Sequence, residues 1–324
     1  MLLTRTVLRT GMMVTALGLL AGCARQEFDS PTAPSGVSVS SLAAAVDPPF
    51  TEPLPLGTVD AAPTACLAGS GAGTQCVRLT VACPVIPMAS AVLRITRPAS
   101  PAAELGTILL STGGAGTFFN GMSPLGAQMV RALIAEGTAT VEIAWDLPGI
   151  WGGPRPRTLA CRYATAARWV YENLHQGGAA RLFVAQGTSG GAAQVAFGLA
   201  HYGLSDIIAL ANLGGGPPGC PLCSPDGQHF PEPLLPGPPP SVNRVPQLVY
   251  PTTVVRFFLG ANEPTPAIIA DANAFYDAVL PLDKSMTIVP GTAHDIEGTE
   301  AGVRAFVGSI RAALATAAPM RPRR

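Results

Sequence analysis

From residue 76 onward the apolar positions follow two periods. Residues 77–81, Val-Arg-Leu-Thr-Val, alternate apolar with polar, and residues 91–95 repeat the pattern before Arg97-Pro98. A period of two predicts half-buried strands, here an adjacent antiparallel pair. Further along, short apolar runs stand at 107–110, 140–144, 181–185, 207–213, 254–259 and 286–289. Between them, segments 125–136, 162–174, 192–201, 266–279 and 300–314 carry apolar residues at helical spacing. Short apolar strands alternating with helices predict a mostly parallel central sheet covered on both sides, an α/β fold. Residues 214–251 break the rhythm and include Pro238-Pro239-Pro240, so an irregular surface excursion, a short cap, is expected there. One sheet uses all of these segments, so residues 66–318 are read as a single domain.

The N-terminus has a different texture. Arg5 and Arg9 precede an apolar run at 11–20 and then Leu20-Ala21-Gly22-Cys23. A basic flank, a short apolar stretch and small residues describe an export signal over 1–22, too short for a comfortable permanent span. The Leu-Ala-Gly-Cys end resembles a bacterial lipoprotein box. That resemblance implies cleavage before Cys23, with a diacylglycerol on its sulfur and a further acyl chain on its amine, and more than one chain makes membrane anchoring stable. Ala24 after the cysteine would favour the outer membrane in a Gram-negative host. Residues 23–65 are rich in Ser, Ala, Pro and Thr without a sustained period and read as a flexible tether, and 319–324 as a solvated basic tail.

Composition narrows the function. The chain has 48% hydrophobic and 12% charged residues, with 20 basic and 20 acidic side chains. An apolar, neutral chain is unlike a disordered one. The single lysine, Lys284, and the scattered arginines offer no basic stripe for a row of phosphates, so no nucleic-acid partner is expected. Beyond Cys23 there remain Cys66, Cys76, Cys83, Cys161, Cys220 and Cys223. An even set in an exported protein points to disulfides, with Cys66–Cys76 and Cys220–Cys223 as the local pairs and the full pairing left open. Zinc is the competing use of Cys220, Cys223 and His229, but a clear fourth ligand is missing, so no metal is expected.

The candidate chemistry begins at residues 182–191, an apolar strand running into Gly187-Thr188-Ser189-Gly190-Gly191 and then directly into a helical pattern. A serine on a tight strand-to-helix turn needs small neighbours, and the helix N-terminus favours a developing negative charge. A phosphate loop would carry a lysine here, and none is present. With this motif the chain resembles the α/β-hydrolase superfamily over about residues 76–316.

The resemblance implies the order nucleophile, acid, histidine, and no cofactor. A serine hydroxyl needs a base within reach, and the base a carboxylate to hold its tautomer. Of four histidines, His294 follows the last apolar run and precedes the last helix, where the family places its base. His175 reads as a helix-end or surface residue, His201 as a packing or capping residue, and His229 belongs to the excursion. The acid position falls on Glu263, in Gly260-Ala261-Asn262-Glu263, where the family usually has aspartate; Asp271 competes with it from inside the next helical pattern. The oxyanion donors implied are the Gly190 amide and one from the loop after 107–110, with Gly114 first and Ala115 second. The family often has His-Gly at the start of that loop, where this chain has Thr112-Gly113. Trp151 could line a substrate pocket, though packing is the commoner use of a loop tryptophan.

The expectation is therefore a lipid-anchored, exported serine hydrolase that cleaves carboxylic esters through Ser189, His294 and Glu263. Two alternatives stand beside it: a peptidase or amidase of the same fold, and an inactive surface binding protein on the same scaffold.

Overall fold

The structure, a computed structural model, describes residues 52–66, 73–100, 104–146, 156–217 and 246–317 of the 324-residue chain. The expected leader, Cys23, Trp151, Cys220, Cys223, His229 and the basic tail lie outside the described residues.

The described strands are β1 (Thr58–Thr64), β2 (Gln75–Ala82), β3 (Ala89–Thr96), β4 (Gly106–Ser111), β5 (Thr138–Trp145), β6 (Leu182–Thr188), β7 (Leu210–Gly214), β8 (Val249–Gly260) and β9 (Leu280–Val289). They form one sheet in the order β1-β2-β3-β5-β4-β6-β7-β8-β9. The first three strands and the junction of β3 with β5 are antiparallel; from β5 to β9 every neighbouring pair is parallel. The helices are α1 (Pro124–Ala135), α2 (Pro156–Asn173), α3 (Gly190–Tyr202), α4 (Pro266–Ala278) and α5 (Glu300–Ala317). Each predicted run and helical segment overlaps one of these elements, and the predicted antiparallel pair is β2 with β3.

The largely apolar runs are explained by burial on both faces. Along β4, Leu109 enters one core with Phe183, Ala185, α2 and α3, while Ile108 and Leu110 enter a second core with Val184, α1 and α5. Every residue of β4 and β5 is buried, as central parallel strands require. Phe183, Phe257, Phe275 and Phe306 are fully buried, each contributing about 1.5–3 kcal/mol relative to exposure.

Three expectations change. Residues 58–64, assigned to the tether, form strand β1, in seven-residue register with β2. The strand is mostly exposed and contains Pro63, so its pattern resembled a linker; an edge strand tolerates a proline that a central one excludes. The excursion is shorter than 214–251, because Gly214 closes β7 and Val249 opens β8; residues 218–245 lie outside the described part. His175 stands just past the end of α2, as the helix-end reading had it, but is buried and not at the surface: its ring nitrogens meet the Thr107 hydroxyl at 3.0 Å and the Gly178 carbonyl at 2.9 Å, and burial lowers its pKa. His201 packs near Phe197 in the last turn of α3.

Two disulfides join the antiparallel flank. Cys66–Cys76, the expected local pair, ties the segment after β1 to β2. Cys83–Cys161, a pairing that spacing alone did not select, ties the end of β2 to α2.

Candidate active site

All five strands β4, β6, β7, β8 and β9 point their carboxyl ends to one sheet edge. Between β4 and β6 the chain first leaves to β5 on one side and returns through β6 on the other. Loops diverge at such a reversal and open a crevice. Ser189 stands in it, at the end of β6.

Ser189 has φ 53° and ψ −117°, a strained backbone for a residue with a side chain, worth roughly 1–3 kcal/mol. The surroundings hold it there: its N–H donates to the Gly214 carbonyl at 2.7 Å, and its carbonyl accepts from Ala193 at 2.9 Å. The turn is tight enough that a Cβ on Gly191 would lie 2.3 Å from the Ser111 carbonyl oxygen, so only glycine fits. A serine in this N-cap position ordinarily bonds a first-turn amide with its hydroxyl. Here it makes no such bond. The hydroxyl instead lies 2.7 Å from His294 Nε2.

His294 reaches it because the loops after β8 and β9 are laced together. Ala261 N–H donates to the Val289 carbonyl at 3.0 Å, Asn262 N–H to the Thr292 carbonyl at 2.9 Å, and Glu263 N–H to the Gly260 carbonyl at 3.1 Å. That pairing sets Glu263 Oε2 2.7 Å from His294 Nδ1. The other carboxyl oxygen accepts from Thr265 N–H at 3.0 Å. Glu263's side chain is fully buried, whereas His294 keeps 31% exposure toward the pocket. The three positions chosen from the sequence thus meet in one hydrogen-bonded row. Asp271, the competing acid, lies within α4 and is not the partner of His294 Nδ1.

The loop after β4 forms the opposite wall. A side chain at Gly113 would stand 3.2 Å from Ser189 Cβ, so the main chain passes directly beside the serine. Gly114 lines the pocket; Ala115 follows in a turn closed by Gly116 N–H on the Gly113 carbonyl. Gly190 is the first residue of α3, where the opening amides have no intrahelical acceptor. The loop is braced from below. Arg94 and Glu142 form a two-pronged ion pair at 2.7 Å for each bond, and Glu142 also accepts from Gly121 N–H at 2.6 Å. Glu142 is fully buried on β5. Such a pair is tolerated because the guanidinium and an amide satisfy its oxygens, and it fixes geometry more surely than it adds stability.

The pocket measures about 520 Å³. Among the lining residues that sequence reasoning missed are Asn120 and Glu297. Asn120 Nδ2 donates to Glu297 Oε2 at 2.7 Å, and the Thr188 hydroxyl donates to Glu297 Oε1 at 2.9 Å. Burial pushes the Glu297 carboxyl up to about 7, against hydrogen bonds from Thr188, Asn120 and Gln186 that favour its charge. The acidic residues at 295 and 297, just after His294, were a visible signal. Asn120 had none, since only the course of the loop brings it there. Among the described residues no cluster suited to a metal ion occurs.

No protein-family model matches the chain, and no curated protein matches it. Solved structures do. A bacterial heroin esterase superposes with a TM-score of 0.52 at 16% identity, covering 78% of this chain and 86% of that one. An esterase from the fungus Rhizomucor miehei superposes with a TM-score of 0.51 at 16% identity, covering 82% and 87%. At such identities the likeness speaks for the architecture alone, and with the strand order and the Ser189 turn it gives the conclusion that this chain has the α/β-hydrolase fold.

Proposed function

We propose that the protein is a serine hydrolase of carboxylic esters, held on a membrane by lipid at Cys23. The observation that carries the reading is the row Glu263–His294–Ser189, with 2.7 Å at each contact. Ser189 attacks the acyl carbonyl while His294 Nε2 takes the hydroxyl proton. Glu263 keeps Nδ1 protonated and balances the imidazolium that forms. The Gly190 amide and, from the facing loop, the Gly114 amide receive the oxyanion. The leaving alcohol takes the proton from His294, and water, activated by the same imidazole, releases the acid from the acyl-serine.

Esters are favoured over other acyl compounds by the kind of proteins that share the architecture, a heroin esterase and fungal esterases by name. The pocket disfavours an anionic ester: it presents Asp295 and, among its described lining residues, no lysine or arginine. An anionic substrate would meet repulsion there.

The test is fluorophosphonate labelling and hydrolysis of short p-nitrophenyl esters by membranes of cells that express the full chain. Ser189→Ala is expected to abolish both, a loss of about 10⁶-fold in kcat, and Cys23→Ser to move the labelled protein into the soluble fraction. Labelling or hydrolysis that survives Ser189→Ala would overturn the hydrolase assignment. Labelled protein that stays in membranes after Cys23→Ser would overturn the anchor.

A further inference from the structure

Glu297 lies outside the hydrogen-bonded row, yet it touches two of the segments that build the site. It sits three residues after His294, in the 3-10 turn Ile296–Gly298. One carboxyl oxygen binds Thr188, which immediately precedes Ser189; the other binds Asn120, on the loop that carries Gly113 and Gly114. Asn120 is almost wholly buried, and the next residue, Gly121, is pinned to Glu142 and through it to Arg94. The anchor at that end is therefore stiff, resting on β3 and β5.

We propose that Glu297 is a positioning residue: by binding Thr188 and Asn120 at once it fixes the turn bearing His294 at the distance where Nε2 meets the Ser189 hydroxyl.

The loop pairing around Asn262 and Thr292 secures the histidine turn on the side of the acid. Glu297 supplies the corresponding tie toward the nucleophile and the oxyanion loop. It does not replace the acid, because His294 Nδ1 already faces Glu263 and both Glu297 oxygens face other donors. A placement error of 1 Å between reacting groups costs about 10²-fold in rate, so a tie of this kind should act on turnover more than on binding.

The kinetic arm of the test rests on the ester-hydrolase reading. Glu297→Ala is expected to lower kcat about 10²-fold while KM changes by less than about threefold. Glu297→Gln is expected to stay within about threefold of wild type: its amide oxygen can accept from Asn120 and its NH₂ can donate to the Thr188 hydroxyl, which accepts as well as donates. Unchanged kcat in Glu297→Ala overturns the proposal. A raised KM at constant kcat does so too, since it would mean direct substrate contact, as does a Glu297→Gln variant as slow as Glu297→Ala, since the charge would then be what matters. If Glu297→Ala does not fold, Thr188→Val with Asn120→Ala removes the same two ties and should reproduce the loss in kcat.

A spectroscopic arm needs no substrate. The low-field proton signal of His294 Nδ1–H, bonded to Glu263, should be sharp in wild type and Glu297→Gln and broadened in Glu297→Ala. An unaltered signal in Glu297→Ala overturns the positioning role even if no ester is ever cleaved, whereas the expected change without any turnover would leave it standing and remove only the ester reading.

Discussion

The antiparallel flank β1–β3 and the parallel half β6–β9 share one sheet but are secured by different means. The flank carries both observed disulfides, Cys66–Cys76 and Cys83–Cys161, and its cysteines take no part in the site. In the parallel half, which carries Ser189, Glu263 and His294, the geometry depends on hydrogen bonds between loops at the strand ends. Covalent cross-links act mainly on the unfolded chain and leave the folded geometry alone. Hydrogen bonds hold atoms at set distances, which catalysis needs. The two halves should therefore fail separately.

The largest separation is expected from the acid. Glu263→Gln keeps the shape of the side chain but leaves Nδ1 of His294 without a carboxylate, so kcat should fall about 10⁴-fold, while urea denaturation should show a stability change of about 1 kcal/mol. A comparable loss of folding stability would mean that Glu263 is chiefly structural. The flank should give the converse. Replacing Cys83 and Cys161 together by alanine opens a cross-link spanning 78 residues and should cost about 4 kcal/mol of stability. The fluorophosphonate labelling rate of the folded protein should then stay within about twofold of wild type. A collapse of labelling at temperatures where circular dichroism still reports a folded chain would show that the two halves are coupled.

The smallest effect concerns pH. Burial raises the Glu297 carboxyl to about 7 in the folded chain, above the ordinary value near 4.5. Between those values the folded state holds a proton that the unfolded state has released, so this group makes stability decline as pH rises from about 4.5 to about 7. Below that window both states are protonated and the group contributes no slope. Thermal midpoints of wild type minus Glu297→Gln, measured across pH 4.5–8, should fall through this window and level off above it. A flat difference would mean that the carboxyl is solvated in the folded chain.

The same contrast explains what could be read from the sequence. Central strands buried on both faces read as short, mostly apolar runs, so β4, β6 and β7 announced themselves. The turn around Ser189 was legible because close packing admits only small residues, a demand that acts over neighbours in sequence. Edge strand β1 was not legible, since its exposed face and Pro63 resemble a linker. In the site, Ser189 followed from its strand-to-helix motif, and His294 and Glu263 from the order that the resemblance implied. Asn120 and Glu297 are 177 residues apart, and nothing local to either predicts their meeting. Their contact exists because the loop after β4 and the turn after β9 converge over the same strand ends, a property of topology and not of composition.

The arrangement around β1 has a mechanical consequence. The residues leading into it are fastened before the strand begins, with Leu54 N–H on the His201 carbonyl at 2.7 Å and Gly57 N–H on the Thr165 hydroxyl at 2.8 Å. Any tension arriving from the N-terminal side must break these bonds and then strip β1 from β2. The strand opposite is reached through the Cys66–Cys76 bridge, where stripping meets a covalent stop. A pull on that end would be absorbed at the rim of the sheet, far along the strand order from the serine.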